Sequence, residues 1–251
     1  MIRKNRYYIS DAHLGIDAEY TSEQRETLLV KWLDEISQDA GEINLVGDIF
    51  DFWFEYRHVV PAGFVRLLAK LRELTDRGIK IKYYTGNHDM WTFGYLPKIT
   101  GVDIIRGTEI IELGDKLLFI GHGDGLGSYD KKYNFLKSIF NSNFFQFLFK
   151  LVHPELSFRI ALAWSATSRK SHKYPTKINI EDEWLVKYAK TILENQHIDY
   201  FIFGHRHIPL KISIGEKTTF INLGDWLMNF TYAVYDGEKM ELLSYKENLI
   251  L

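Results

Sequence analysis

Cysteine is absent from all 251 residues, so the chain has neither a disulfide framework nor a thiolate metal site. Any bound metal must be held by His, Asp, Glu, Asn or backbone oxygen, which favours the harder ions. The absence is in keeping with a reducing cytosol, although many exported proteins share it. Long apolar runs are also lacking. The most apolar stretch, 143–152, is interrupted by Gln146 and Lys150 and is far short of the roughly 20 residues a spanning helix needs. Residues 1–10 are basic but hold no apolar run of signal-peptide length, so the expectation is a chain that is not exported and does not cross a membrane. Repeats, low-complexity segments and linkers are missing too, which points to one domain over 1–251.

What is present is ordinary globular composition, 46% apolar and 25% charged, with enough apolar residues for a sizeable core. The net charge of −2 is unevenly spread. Segment 127–180 holds nine basic residues (Lys131, Lys132, Lys137, Lys150, Arg159, Arg169, Lys170, Lys173 and Lys177) against Asp130 and Glu155, a balance of +7 that leaves −9 for the rest. It also holds Phe135, Phe140, Phe144, Phe145, Phe147, Phe149, Phe158 and Trp164. A basic, aromatic segment on an acidic body suits a ligand that is both anionic and apolar, or an anionic membrane surface.

Periodicity gives strands over about 6–10, 43–46, 79–85, 116–120 and 200–203, and helices over about 22–37 and 63–77. Thr21 and Gln24 read as a capping box for the first helix. Short runs at about 211–214, 218–223, 231–235 and 240–245 read as antiparallel strands. Segment 127–180, helical in parts, reads as an insertion. Strand and helix alternate, and each early strand ends in a polar cluster, where α/β sheets place their ligands.

Five such clusters stand in order: Asp11-Ala12-His13, Gly47-Asp48, Gly86-Asn87-His88-Asp89, Gly121-His122 and Gly204-His205-Arg206-His207. Their nitrogen and oxygen donors suit Mn²⁺, Fe²⁺ or Zn²⁺. At a strand end the x of a DxH or HxH pair separates side chains that point the same way, and adjacent glycine permits unusual dihedrals and close backbone approach. A lone histidine beside a strand is most often a hydrogen-bonded loop residue. Here five of the nine histidines fall in these clusters, while His58, His153, His172 and His197 keep the ordinary explanation.

The ordered set resembles the calcineurin-like metallophosphoesterases, whose motifs run DxH, GD, GNH(D/E), GH and GHxH. The resemblance covers most of the chain. It implies an α/β sandwich of two mixed β-sheets flanked by helices, and two divalent ions, most simply Mn²⁺. One ion would take Asp11, His13, Asp48 and His207; the other would take Asp48, Asn87, His122 and His205, with Asp48 as the bridge. Such a pair, about 4 Å apart, clamps the attacking and departing oxygens of a phosphoryl centre. His88 would stabilise the developing charge or protonate the leaving group, with Asp89 orienting its ring.

Within that superfamily, Ser10-Asp11-Ala12-His13-Leu14-Gly15, Gly47-Asp48-Ile49-Phe50-Asp51-Phe52-Trp53 and His122-Gly123-Asp124 with Asp130 and Tyr133 look like the UDP-2,3-diacylglucosamine pyrophosphatases of lipid A synthesis. Their best-known members have GNRD where this chain has Gly86-Asn87-His88-Asp89. The likeness implies a helical lid at 127–180, with Tyr133, Ser165, Arg169, Lys170 and Lys173 as candidate substrate contacts. It further implies a cytoplasmic enzyme, peripheral on the inner face of the cytoplasmic membrane, that releases UMP and 2,3-diacylglucosamine 1-phosphate (lipid X) from a lipid-linked nucleotide. A phosphodiesterase or nuclease on the same site is the alternative. A nuclease would want a basic groove across the body, and this body is acidic, so no nucleic-acid partner is expected. A non-catalytic interaction module of the same fold would have shed its ligands.

Overall fold

Strands β1 (Asn5–Ile9), β2 (Ala40–Val46) and β3 (Lys80–Tyr84) run parallel, with Tyr7 beside Ile43 and Ile43 beside Ile81. The computed structural model describes residues 4–127, 131–171 and 179–246, without the side chains of 131, 132 and 166–171. Because side chains alternate across a strand, Tyr7, Ile9, Ile43, Leu45, Ile81 and Tyr83 form one face. They pack there against α1 (Ser22–Ile36), α2 (Val65–Asp76) and α3 (Tyr95–Thr100). Tyr8, Val46 and Tyr84 form the other face, which meets a second sheet.

The first sheet is completed by β4 (Asp103–Ile105), parallel to β3, and by the antiparallel pair β10 (Thr231–Tyr235) and β11 (Met240–Ser244), giving the order β11-β10-β1-β2-β3-β4. The second sheet comprises β5 (Thr108–Leu113), β6 (Lys116–Gly121), β7 (Tyr200–Phe203), β8 (Pro209–Ser213) and β9 (Thr219–Leu223), in the order β5-β6-β7-β9-β8. Within it β6, β7 and β9 are parallel, while β5 and β8 are antiparallel edges. Helix α7 (Trp184–Leu193) covers its outer face through Leu185, Val186 and Ala189 against Phe119, Phe201 and Phe203. The result is the expected α/β arrangement: two mixed sheets, face to face, flanked by helices.

Helix α1 starts where its capping box places it. Thr21 Oγ1 accepts from the Gln24 amide at 3.2 Å, and the Gln24 side chain accepts from the Thr21 amide at 2.8 Å. Sequence periodicity leaves α3, α7, β4 and β5 unassigned. The last two are edge strands whose half-exposed residues lack a clean apolar alternation. The four C-terminal runs are strands, but they divide between the two sheets, and β9 is also parallel to β7.

Between β6 and β7 stand α4 (Lys131–Phe140), α5 (Asn143–Leu151) and α6 (Pro154–Ser171). This insertion docks through an aromatic seam. The Phe149 ring lies 4.8 Å from Phe54 and 4.7 Å from Trp91, Phe158 lies 5.0 Å from Phe52, and the Trp91 indole donates to the Phe140 carbonyl. The rest of its apolar surface is open: Phe135, Phe144, Phe147, Leu151 and Trp164 are all more than half exposed, and α5 buries no residue. Among the described residues no helix is long and apolar enough to cross a membrane.

Candidate metal centre

The loops that follow β1, β2, β3, β6 and β7 meet at one end of the sandwich. The Asp11 amide donates to the Gly47 carbonyl, the Gly204 amide to the His122 carbonyl, and the Trp226 amide to the Asp11 carbonyl. Asp11, His13, Asp48, His205 and His207 all have φ between 43° and 66°. They are five of the seven non-glycine residues in that region among those described. A left-handed residue of this kind costs about 1–3 kcal/mol and persists only where its surroundings over-determine it. The paired side chains therefore converge through sharp turns just past the strand ends, and strand alternation does not aim them. The glycines contribute mainly space. A Cβ at Gly86 would stand 2.2 Å from Asp48 Oδ1, and one at Gly204 would stand 2.5 Å from Asp11 Oδ2.

Each carboxylate gives one oxygen to the backbone and turns the other inward. Asp11 Oδ2 accepts from the His205 amide at 2.9 Å, leaving Oδ1 3.3 Å from His207 Nε2 and 3.7 Å from His13 Nε2. Asp48 Oδ1 accepts from the His88 amide at 2.8 Å, leaving Oδ2 3.1 Å from His122 Nε2 and 3.8 Å from His13 Nε2. Two of the imidazoles are fixed from behind by hydrogen bonds in the same manner, and a third faces a carboxylate. His13 Nδ1 meets Asp51 Oδ1 at 3.0 Å, His122 Nδ1 meets the Val46 carbonyl at 2.9 Å, and His207 Nδ1 lies 3.6 Å from Asp225 Oδ2. Such outer partners select the tautomer that presents Nε2 to a cation.

Electrostatics reinforce this geometry. Burial would raise Asp11, but His207 and His122 outweigh it and bring its pKa down to about 2. Asp48 is likewise held well below the usual carboxylate range, against its burial, by His122 and His88. Burial would lower His13, yet Asp11 and Asp51 lift it to about 10. His205 goes the other way, to about 4, through burial and the nearby His122. Buried carboxylates that draw protons onto neighbouring imidazoles would equally draw a metal ion, for which protons compete.

The donor set fits divalent cations. Asp11, His13 and His207 form one group, and Asp48, His122 and His205 another, each with donor atoms within 4.8 Å of one another. Asp11 Oδ1 and Asn87 Oδ1 are buried and accept no hydrogen bond, a costly condition for polar atoms that a cation would relieve.

Residues 7–209 match the calcineurin-like phosphoesterase family. The chain belongs to that family. A UDP-2,3-diacylglucosamine hydrolase from Porphyromonas gingivalis is 35% identical to it over 260 residues, covering 98% of this chain and 99% of its own. A protein of the same name from Haemophilus influenzae is 26% identical over 241 residues, covering 95% and 97%. Among solved structures, a phosphoesterase from E. coli aligns with 98% of this chain and 96% of its own, at 14% identity and a TM-score of 0.48. The protein is thus a metal-dependent hydrolase of the phosphoesterase family.

His88 stands at the rim of the centre, 14% exposed, its ring 4.7 Å from that of His13. Its Nδ1 donates to the Asp51 carbonyl at 2.9 Å. The expected orienting contact from Asp89 is not made. That carboxylate is buried and accepts from the Gly86 and Ile49 amides and the Tyr83 hydroxyl, so it staples the loop after β2 to the loop after β3. Burial, with Asp48 beside it, pushes its pKa up to about 6.

Of the candidate substrate contacts, Tyr133 donates to Asp124 Oδ2 at 2.8 Å, an oxygen it shares with Lys137 Nζ at 2.6 Å. Ser165 is buried and donates to Asp51 Oδ1. Arg169 and Lys170 lie on α6, but their side chains, like all of Lys173, fall outside the described residues.

Three functional residues escape the sequence reading. Asp51 backs both His13 and His88. Asp225 faces His207 and caps its own turn by accepting from the Leu227, Met228 and Asn229 amides; its Gly224-Asp225 placement after β9 repeats the Gly47-Asp48 signature and could have flagged it. Arg25, fully buried, donates to the carbonyls of Ala12, His13, Ile16 and Tyr20 and so braces the first loop. No sequence signal marks an arginine in α1 as buried.

Proposed function

We propose that the protein hydrolyses the pyrophosphate bond of UDP-2,3-diacylglucosamine, releasing UMP and 2,3-diacylglucosamine 1-phosphate, at two Mn²⁺ ions. The reading is carried by one observation: the inward oxygen of Asp48 lies between imidazoles of two separate donor groups, His13 on one side and His122 on the other, as a bridging ligand must. Asp11, His13, Asp48 and His207 would hold one ion, and Asp48, Asn87, His122 and His205 the other. Bound there, the ions supply Lewis-acid activation of water and neutralise charge at phosphorus. The name shared by the full-length relatives supports the choice of substrate.

The chain's own groups do the remainder. Burial lowers the pKa of His88 in the free protein, which leaves Nδ1–H on the Asp51 carbonyl and a lone pair on Nε2. An anionic pyrophosphate beside the ring would supply the compensating charge, so that Nε2 takes a proton from solvent as substrate binds and donates it, as a hydrogen bond, to the oxygen on which charge develops. Asp89 acts at a distance by fixing the loops that carry Asp48 and Asn87. The helical insertion acts as a lid: its open apolar surface receives acyl chains, and its positive charge favours both the substrate's phosphates and an anionic membrane surface, where the enzyme works peripherally. Incubation with UDP-2,3-diacylglucosamine and Mn²⁺, with UMP read by chromatography, tests the reading. UMP formation that depends on the metal is the expected result, and its absence with correctly metallated protein rejects the substrate.

A further inference from the structure

Asp51 stands where three parts of the molecule meet. Its Oδ1 lies 3.0 Å from His13 Nδ1 and also accepts, at 3.0 Å, from the hydroxyl of Ser165 on α6, while its carbonyl accepts from His88 Nδ1 at 2.9 Å. Ser165 Oγ is itself 3.3 Å from His88 Nδ1. Asp51 and Ser165 are 1% and 2% exposed, so these contacts are made in a low-dielectric interior where each counts for more than at the surface. His13 Nε2 would hold the cation, and with it bound Nδ1–H would be a stronger donor to Asp51 and the ring would be locked. The Asp51 carboxylate is thereby held in the orientation that Ser165 requires.

We propose that Asp51 is a positioning residue that ties the helical insertion to the metal centre, fixing the His13 ring for the cation and, through Ser165, making closure of α6 onto the body depend on metal loading. The proposal rests on the assignment of His13 as a ligand. Coupling of this kind is reciprocal: the factor by which the Ser165 contact raises metal affinity is the factor by which metal strengthens the hold on α6.

The test uses the full-length chain, stripped of metal and titrated with Mn²⁺ alone. Free Mn²⁺ is followed by electron paramagnetic resonance, and amide hydrogen exchange is followed across 154–171 with and without the ion. In the unmodified protein Mn²⁺ should bind and slow exchange in α6. Ser165→Ala should weaken Mn²⁺ binding roughly fivefold or more and shrink the metal-dependent slowing by a like factor. Asp51→Ala should weaken binding roughly 10- to 100-fold and abolish the slowing. Asp51→Asn, whose amide oxygen can still accept from Nδ1–H, should fall between; with Ser165→Ala it carries the test if the alanine variant does not fold. Wild-type affinity and wild-type slowing in Ser165→Ala would overturn the coupling while leaving the ligand assignment intact. So would a variant of Asp51 that lowers the melting temperature of the metal-free chain yet keeps its metal response. A failure of the unmodified protein to bind Mn²⁺ would overturn the assignment of His13 and the coupling with it.

Discussion

The strand-end loops and the helical insertion both carry candidate functional side chains, but they are built on opposite terms. In the loops four of the seven candidate donors (Asp11, His13, Asp48 and His122) are buried and each of these is held by a second group, the other three are half-buried, and five of the seven sit in strained backbone. In the insertion the helices are regular, and much of the apolar surface is left open, with Phe144 63% and Leu151 69% exposed. Strain and dense bracing suit a ligand of fixed size and geometry such as a cation. Open, regular, apolar surface suits a deformable one such as an acyl chain or a bilayer. The two regions should accordingly respond very differently to small changes.

The largest effect should come from the one carboxylate facing both donor groups. Asp48→Asn should abolish hydrolysis and lower bound metal, measured by elemental analysis, while circular dichroism stays near that of the unmodified protein. Full activity with full metal would remove the two-ion assignment. Nearly as large should be the effect of a single methyl group in the same loops. Gly86→Ala places a carbon 2.2 Å from Asp48 Oδ1 and should cost most of the bound metal. Gly94→Ala meets nothing within 4 Å, at a φ of −142° open to any residue, and should leave metal content alone. Equal metal content in the two variants would show that the loops are softer than their hydrogen bonding indicates.

His88→Ala should lower kcat by roughly 10²- to 10⁴-fold with metal content unchanged, the range for losing a positioned acid or charge stabiliser. Loss of metal in its place would make His88 a ligand. The smallest effect should be in the insertion. Phe147→Ser with Leu151→Ser should reduce kcat/KM on the diacylated substrate about tenfold, since half-burying two such side chains is worth about 1.4 kcal/mol, with little change on a small chromogenic phosphodiester. Parallel losses on both substrates would mean that the insertion supports the metal site and does not recognise lipid.

Legibility from sequence follows the same division. The donor clusters could be read because most combine histidine or aspartate with glycine at the end of an apolar run, and the structure brings Asp11, His13 and His207 together and Asp48, His122 and His205 together. The groups behind them could not. Asp51, Asp225 and Arg25 are common residues whose roles arise from contacts with distant segments, as when Asp51 meets His13 and Ser165, 38 and 114 positions away. Among the elements, α1 and α2 were visible through apolar residues at helical spacing and, for α1, its capping box, whereas α3, at six residues, is too short to show a period. Edge strand β4 is only three residues long, and in β5 Glu109 and Ile110 break the match between apolar residues and an otherwise regular alternation of exposure. The insertion's aromatics divide between two situations. Phe140, Phe149 and Phe158 do pack, and Phe135, Phe144 and Phe147 stay exposed.

The distance along the chain between its first and last donors has a consequence for how the protein comes into being. Asp11 Oδ1 and His207 Nε2 lie 3.3 Å apart although 196 positions separate the two residues, and the intervening donors follow strands of both sheets. No fragment emerging during synthesis contains a complete half of the centre until the segment after β7 has been made. Contacts this remote form late, after the cost of closing very long loops has been met. Early in synthesis the growing chain therefore offers a metal ion only part of either donor group, and strong capture waits until the two sheets have docked. Metal uptake then serves as a signature of the finished fold, and an ion that arrives in the cell before the protein is complete has nowhere on it to go.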